Sequence, residues 1–190
     1  MQLKVKLAAL AMAGGTAALV LAGTPALASS QAPSHAITGP ETAYGAIYGK
    51  PATANNPVIP LKWRGLVHAH GVFSPNGPAP KKGQHHTFTT SAGNLVAVVT
   101  AKPTSTQSFN VKACHFAFTT RVVFAALPGK STGKFTGAKG RGVVVVYFAG
   151  YGPRYTSGPK KGQCNTSPNA PELPKGAVAS FLLKSVLTLP

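Results

Sequence analysis

Along most of this chain apolar and polar residues alternate with a period of two, the spacing of strands that bury one face. Over residues 61–73, Leu61, Trp63, Val67, Ala69 and Phe73 share one side, while Lys62, Arg64, His68 and His70 take the other. Gly65 and Gly71 interrupt the apolar side and predict bulges or bends. Residues 86–90 and 95–102 read as two strands around Ser91-Ala92-Gly93-Asn94, a hairpin turn. Over 109–127, Cys114, Phe116, Phe118, Thr120, Val122 and Phe124 fall on one face, with His115, Thr119 and Arg121 opposite. Residues 143–149 form an unbroken apolar run of strand length, which predicts burial on both sides. The last stretch, 177–189, places Ala179, Phe181, Leu183, Leu187 and Leu189 against Ser180, Lys184 and Thr188. No segment carries a convincing helical period. Short strands joined by Gly/Pro turns predict an all-β antiparallel barrel or sandwich of about seven to eight strands. The pattern does not choose between the two.

The domain plan follows from the ends. Residues 1–28 read as a signal peptide, with Lys4 and Lys6 before an apolar run and Ala26-Leu27-Ala28 at its close. Residues 29–43, small and Pro-punctuated, read as a flexible leader, and 44–190 as a single all-β domain. A secreted protein without a membrane span after cleavage is expected. Only Cys114 and Cys164 are present, an even pair for an oxidising compartment, so a disulfide between them is predicted. Two stretches, 74–84 and 150–176, are too long for hairpin turns, and such loops are functional or tethered. Both contain one pentad: Pro80-Lys81-Lys82-Gly83-Gln84 returns as Pro159-Lys160-Lys161-Gly162-Gln163. Internal duplication and shared loop chemistry both account for it.

The charge narrows the chemistry. Against 19 Lys and Arg stand two acids, Glu41 and Glu172, and no Asp. Paired-carboxylate hydrolysis, Ser-His-Asp triads, EF-hands and carboxylate-held Mg²⁺ all need acids this chain lacks. No catalytic residue and no cofactor is therefore expected. Removing residues 1–28 takes Lys4 and Lys6 with it, and the formal charge falls from +17 to +15. Such a domain adsorbs to polyanions in a salt-sensitive way. Most of the cations are Lys, point charges suited to diffuse association more than to sequence-specific nucleic-acid reading. The expected partner is an anionic cell-wall polymer or another polyanion, met through Lys81, Lys82, Lys160, Lys161, Lys62 and Arg64.

Other readings compete. His68 and His70, at i and i+2 on a strand, can share a metal, with His85, His86 or His115 as a third ligand. Lys62 and Arg64 on the same face oppose a cation there. Trp63, Phe116, Phe118 and Tyr147 serve equally as core or as the lining of an internal pocket for a small apolar ligand, which would make the barrel a carrier or an enzyme.

The segment Ser131-Thr132-Gly133-Lys134-Phe135-Thr136-Gly137-Ala138-Lys139-Gly140-Arg141-Gly142 suits a sharp turn between strands, with Phe135 inserted into the core. Its Lys134, Lys139 and Arg141 could cradle a phosphate, but the order G-x-x-x-x-G-K-[ST] is missing and a strand follows. The segment resembles the G-x-F-x-G-A-x-G-x-G stretch of small secreted all-β proteins of high-GC Gram-positive bacteria. The resemblance extends to the hairpin at 88–99, the two cysteines and the last strand. A weaker similarity links the glycine segment to allene oxide cyclase and dirigent-like barrels. The closer family implies an all-β secreted domain and brings no activity to transfer.

Overall fold

The computed structural model of the chain describes residues 35–54, 56–74, 80–165 and 173–190. The signal peptide expected at 1–28, and Glu172, lie outside the described residues. Nine strands form: β1 (Ile37–Tyr48), β2 (Ile59–Gly65), β3 (Ala69–Phe73), β4 (His85–Thr90), β5 (Gly93–Val99), β6 (Thr104–Asn110), β7 (His115–Ala126), β8 (Lys139–Tyr151) and β9 (Leu173–Leu189). A one-turn helix α1 (Lys50–Thr53) and a 3₁₀ turn (Gly133–Phe135) are the only helical pieces among the described residues.

The strands lie in the order β5-β4-β3-β2-β1-β9-β8-β7-β6, every neighbour antiparallel, and β5 also pairs with β7. That pairing closes eight strands into a barrel and leaves β6 as a ninth strand outside the ring. Barrel, not sandwich, is the outcome. Closure pairs the two edges of the eight-strand sheet with each other. β9 is central, as its alternation implies: Ala177, Ala179, Phe181, Leu183 and Leu187 all point inward and are buried.

The interior is a chain of aromatic contacts. Trp63 meets Phe135 at 5.5 Å and Phe88 at 6.1 Å, both edge-on, and Phe88 meets Phe124 and Phe181. Burial of each such ring is worth about 2 kcal/mol. Phe135 is fully buried, so the glycine-rich segment delivers a core plug to the barrel.

Four expectations change. Residues 37–43, read as leader, belong to β1, which pairs with β9 over Ile37↔Leu189 to Tyr48↔Val178. The alternating stretch 61–73 is a hairpin, β2 and β3, turning at 66–68; both strands keep their apolar faces inward with Leu61 opposite Gly71. The stretch 109–127 is likewise broken at 111–114, where Cys114 sits at φ 53° in a turn between β6 and β7. Within 143–149, Val144 is buried, but Val143 and Val145 are half-buried on the outer wall.

β7 has two partners along one edge. β5 takes its upper part, Ala97↔Ala126 to Val99↔Phe124. β6 takes the lower part, Thr104↔Arg121 to Asn110↔His115, and Thr100 N–H donates to Val123 O between the two. Closure by β5 therefore stops at Phe124, and below it β6, β7 and β8 continue as a sheet whose edge strand β6 is exposed at every position.

Candidate functional site

Antiparallel topology sorts the connections between two ends. The β1–β2, β3–β4, β6–β7 and β8–β9 connections all leave their strands at the end where β1 finishes. They bring Lys50, Lys81, Lys82, Lys112, Arg154, Lys160 and Lys161 to that one end. The single described acid, Glu41, lies inside the barrel wall instead.

A cleft forms where two of these connections are stapled. Cys114 and Cys164 are joined, with Cα atoms 5.4 Å apart, fixing 152–165 against the β6–β7 turn. Gly152 N–H donates to Cys114 O at 2.7 Å, and Arg154 and Cys164 form a short β-bridge. The Arg154 guanidinium locks both segments: Nη1 donates to Gly162 O and Nη2 to Lys112 O, each at 2.7 Å. Val111, Lys112, Arg154, Tyr155, Lys160, Gln163 and Cys164 line a cleft of about 480 Å³. Lys160 Nζ stands 5.9 Å over the Tyr155 ring. Ammonium groups on a rigid wall form charge-assisted hydrogen bonds with phosphate, sulfate or carboxylate oxygens.

The repeated pentad has a local cause. Gln84 N–H donates to Lys81 O at 3.0 Å, and Gln163 N–H to Lys160 O at 2.9 Å. Gly83 and Gly162 both sit at φ 83°. Each copy is one turn with two exposed lysines ahead of a left-handed glycine, the residue such a turn requires.

The six residues expected to meet a polyanion thus divide. Lys81, Lys82, Lys160 and Lys161 share the cationic end. Lys62 and Arg64 lie on the outer wall of β2, where the Arg64 guanidinium stands 6.0 Å over the Tyr44 ring. Lys112 and Arg154 were not among the expected residues; Lys112 precedes Cys114 by two positions, so the predicted disulfide already placed it beside the second loop.

The histidines do not converge. His68 and His70 are exposed, and His70 is the cross-strand neighbour of Lys62. His115 packs edge-on to Tyr151 at 5.0 Å. His86 points inward; its Nε2 is buried without a hydrogen-bond partner, and loss of water holds its pKa below the usual value. Among the described residues no three of His, Cys, Asp and Glu gather to hold a metal. The four candidate lining residues separate as well. Trp63 is 2% exposed and wedged between Phe88 and Phe135, Tyr147 lies on the outer wall, and Phe116 and Phe118 stand below the closure.

Glu41, expected in a loop, faces the interior from β1 at 1% exposure. Its Oε2 accepts from Val67 N–H at 3.0 Å, while Oε1 has no hydrogen-bond partner. Burial pushes its pKa up to about 7, against the lowering effect of the Val67 and Leu66 N–H groups. A Cβ on Gly65, at φ 136°, would come within 2.9 Å of Glu41 Oε2 and 2.2 Å of Pro40 O, so only glycine lets β2 pass. The carboxyl holds the β2–β3 turn and is closed to substrate. No family model, curated protein or solved structure matches the chain, so the functional reading rests on its own geometry.

Proposed function

We propose that this protein is a secreted, non-catalytic barrel that holds anionic polymers outside the cell, cell-wall polymers foremost, through its cationic end. One observation carries the reading: four connections converge at a single end and bring the cleft cations and both Lys-Lys turns with them. Convergent positive charge on fixed backbone raises the local concentration of a polyanion and binds it in a salt-dependent manner. A disulfide that staples the cleft suits an oxidising compartment, in keeping with the leader pattern at 1–28.

The test is retention on an immobilised polyanion. The triple variant Lys112→Ala, Lys160→Ala, Lys161→Ala is expected to elute at clearly lower salt than the parent. A control that removes the same charge from the opposite end, Lys130→Ala, Lys134→Ala, Lys139→Ala, is expected to elute near the parent. Equal loss in both would reduce the effect to net charge and sink the proposal of a binding end.

A further inference from the structure

Below the point where β5 leaves β7, the inner face of the barrel runs outward onto an open shelf. The register fixes its rows. Ser105, Thr120 and Val146 stand side by side on β6, β7 and β8; Gln107, Phe118 and Phe148 form the next row; Phe109 and Phe116 form the third, ending at Gly150. Toward the barrel this face is covered, but toward β6 it is open. Phe109 is 46% exposed and Phe118 41%. Neighbouring aromatic rings left open on a face that elsewhere makes the core form a contiguous apolar patch, the kind of surface that binds a partner.

We propose that this shelf binds the sugar rings of an acidic polysaccharide, and so selects among the anionic polymers that the cationic end attracts. The inference rests on the polyanion reading above and names the class of polymer. The open rings of Phe109 and Phe118 offer apolar surface to the C–H faces of sugars. Between them Gln107 offers an amide, and Ser105 and Thr120, hydrogen-bonded at 3.1 Å, offer hydroxyls. Neutral donors and acceptors interleaved with aromatics match a hydroxyl-rich ring. They do not match a lipid bilayer, in which each such group would lose its water without a partner.

Charge placement argues in the same direction. β6 carries no charged residue over Thr104–Asn110, and its nearest chain neighbours of either sign are Lys102 and Lys112, one beyond each end. A nucleic-acid strand, with a phosphate at every nucleotide, calls for cations along its whole track. A polymer of mostly neutral sugar surface with spaced acidic groups fits cations confined to the ends.

The test compares four probes on the full mature chain: a polyuronate in which neutral sugars alternate with the acidic ones, inorganic polyphosphate, single-stranded poly-dT, and phosphatidylglycerol vesicles. Phe118→Ala and Phe109→Ala are each expected to weaken polyuronate binding about fivefold, in the range of a single aromatic contact. Polyphosphate has no ring to stack, so its binding should be unchanged in both variants. Gln107→Ala, which cannot disturb packing beneath an exposed position, should weaken polyuronate alone and guards against a folding artefact. Because ring contacts are not screened by salt, part of the polyuronate affinity should survive at ionic strengths that release polyphosphate. Polyuronate binding that ignores all three variants would overturn the shelf while leaving the cationic end intact. Larger losses for poly-dT or for vesicles would overturn it in favour of those partners. If none of the four probes binds the parent protein, the polyanion reading falls and this inference falls with it.

Discussion

Glu41 has one carboxylate oxygen tied to the β2–β3 turn and the other without a partner, in a wall that water does not reach. In the unfolded chain it titrates near 4.5, and in the barrel near 7. Below the lower value both states are protonated and Glu41 costs the fold nothing. As pH rises from there the unfolded chain ionises first, so stability falls until pH 7 and is level above. That interval corresponds to at most about 3 kcal/mol. His86 acts oppositely. Its folded pKa lies below 6.5, so acidification protonates the unfolded chain first and removes stability. Glu41→Gln keeps an oxygen for the Val67 N–H and cannot ionise. It is expected to unfold at higher urea than the parent at about pH 8, with the advantage gone at about pH 4, where the His86 loss remains. A variant that is equally weaker at both pH values would show Glu41 acting through shape alone.

The stapled hairpin and loop stand or fall together as elements. The cross-link spans 50 residues, and loop closure of that length stabilises a fold by about 4 kcal/mol. Reduction, or Cys114→Ser with Cys164→Ser, is expected to lower the urea midpoint accordingly. It should also weaken polyanion retention more than the global loss explains, because the loop that carries Lys160 and Lys161 is held against the Lys112 turn by that link and by Arg154. Intact retention in a folded, reduced protein would show the loop to be positioned without it. The elements legible in sequence were those whose instructions are local. The inward row of β9, Ala179, Phe181, Leu183 and Leu187, keeps a period of two that Ser185 alone dilutes, and the β4–β5 hairpin carries its own turn residues. At 66–68 Gly65 signals a bend, but a full reversal is hidden because both strands face one interior and alternation continues through the turn; what holds that turn is Glu41, on another strand. β1 was hidden for a related reason. Gly39, Pro40 and Gly45 blur its period, and its strandhood comes from pairing with β9, at the far end of the chain. At the site, the Lys-Lys turns could be read because each is self-contained. Arg154 could not, since its two carbonyl partners lie on different segments. The shelf is not legible in sequence because Phe116 and Phe118 share the core-forming pattern of Val122 and Phe124; where β5 ends decides which rings stay open.

For the whole molecule, the same screening acts with opposite signs on folding and on binding. A chain with 19 basic and two acidic residues repels itself when compact, and the cations gathered at one end add to that strain. Salt relieves the repulsion, so the free protein should melt at higher temperature as sodium chloride is raised. A polyanion relieves it too, by binding the folded state, and stabilises by an amount that grows with the ratio of ligand to dissociation constant. That ratio falls steeply with salt, since each phosphate neutralised on binding frees a condensed counterion, a gain that shrinks as the bulk salt rises. Thermal scans with and without polyphosphate should therefore show two curves that start apart at low salt and converge at high salt, the free one rising. In the variant lacking Lys112, Lys160 and Lys161 the free curve should start higher and rise less, and the polyphosphate increment should shrink at every salt concentration. A free protein whose melting temperature falls with added salt would mean that favourable charge pairing outweighs repulsion. An increment undiminished in the variant would place the polyanion elsewhere on the barrel.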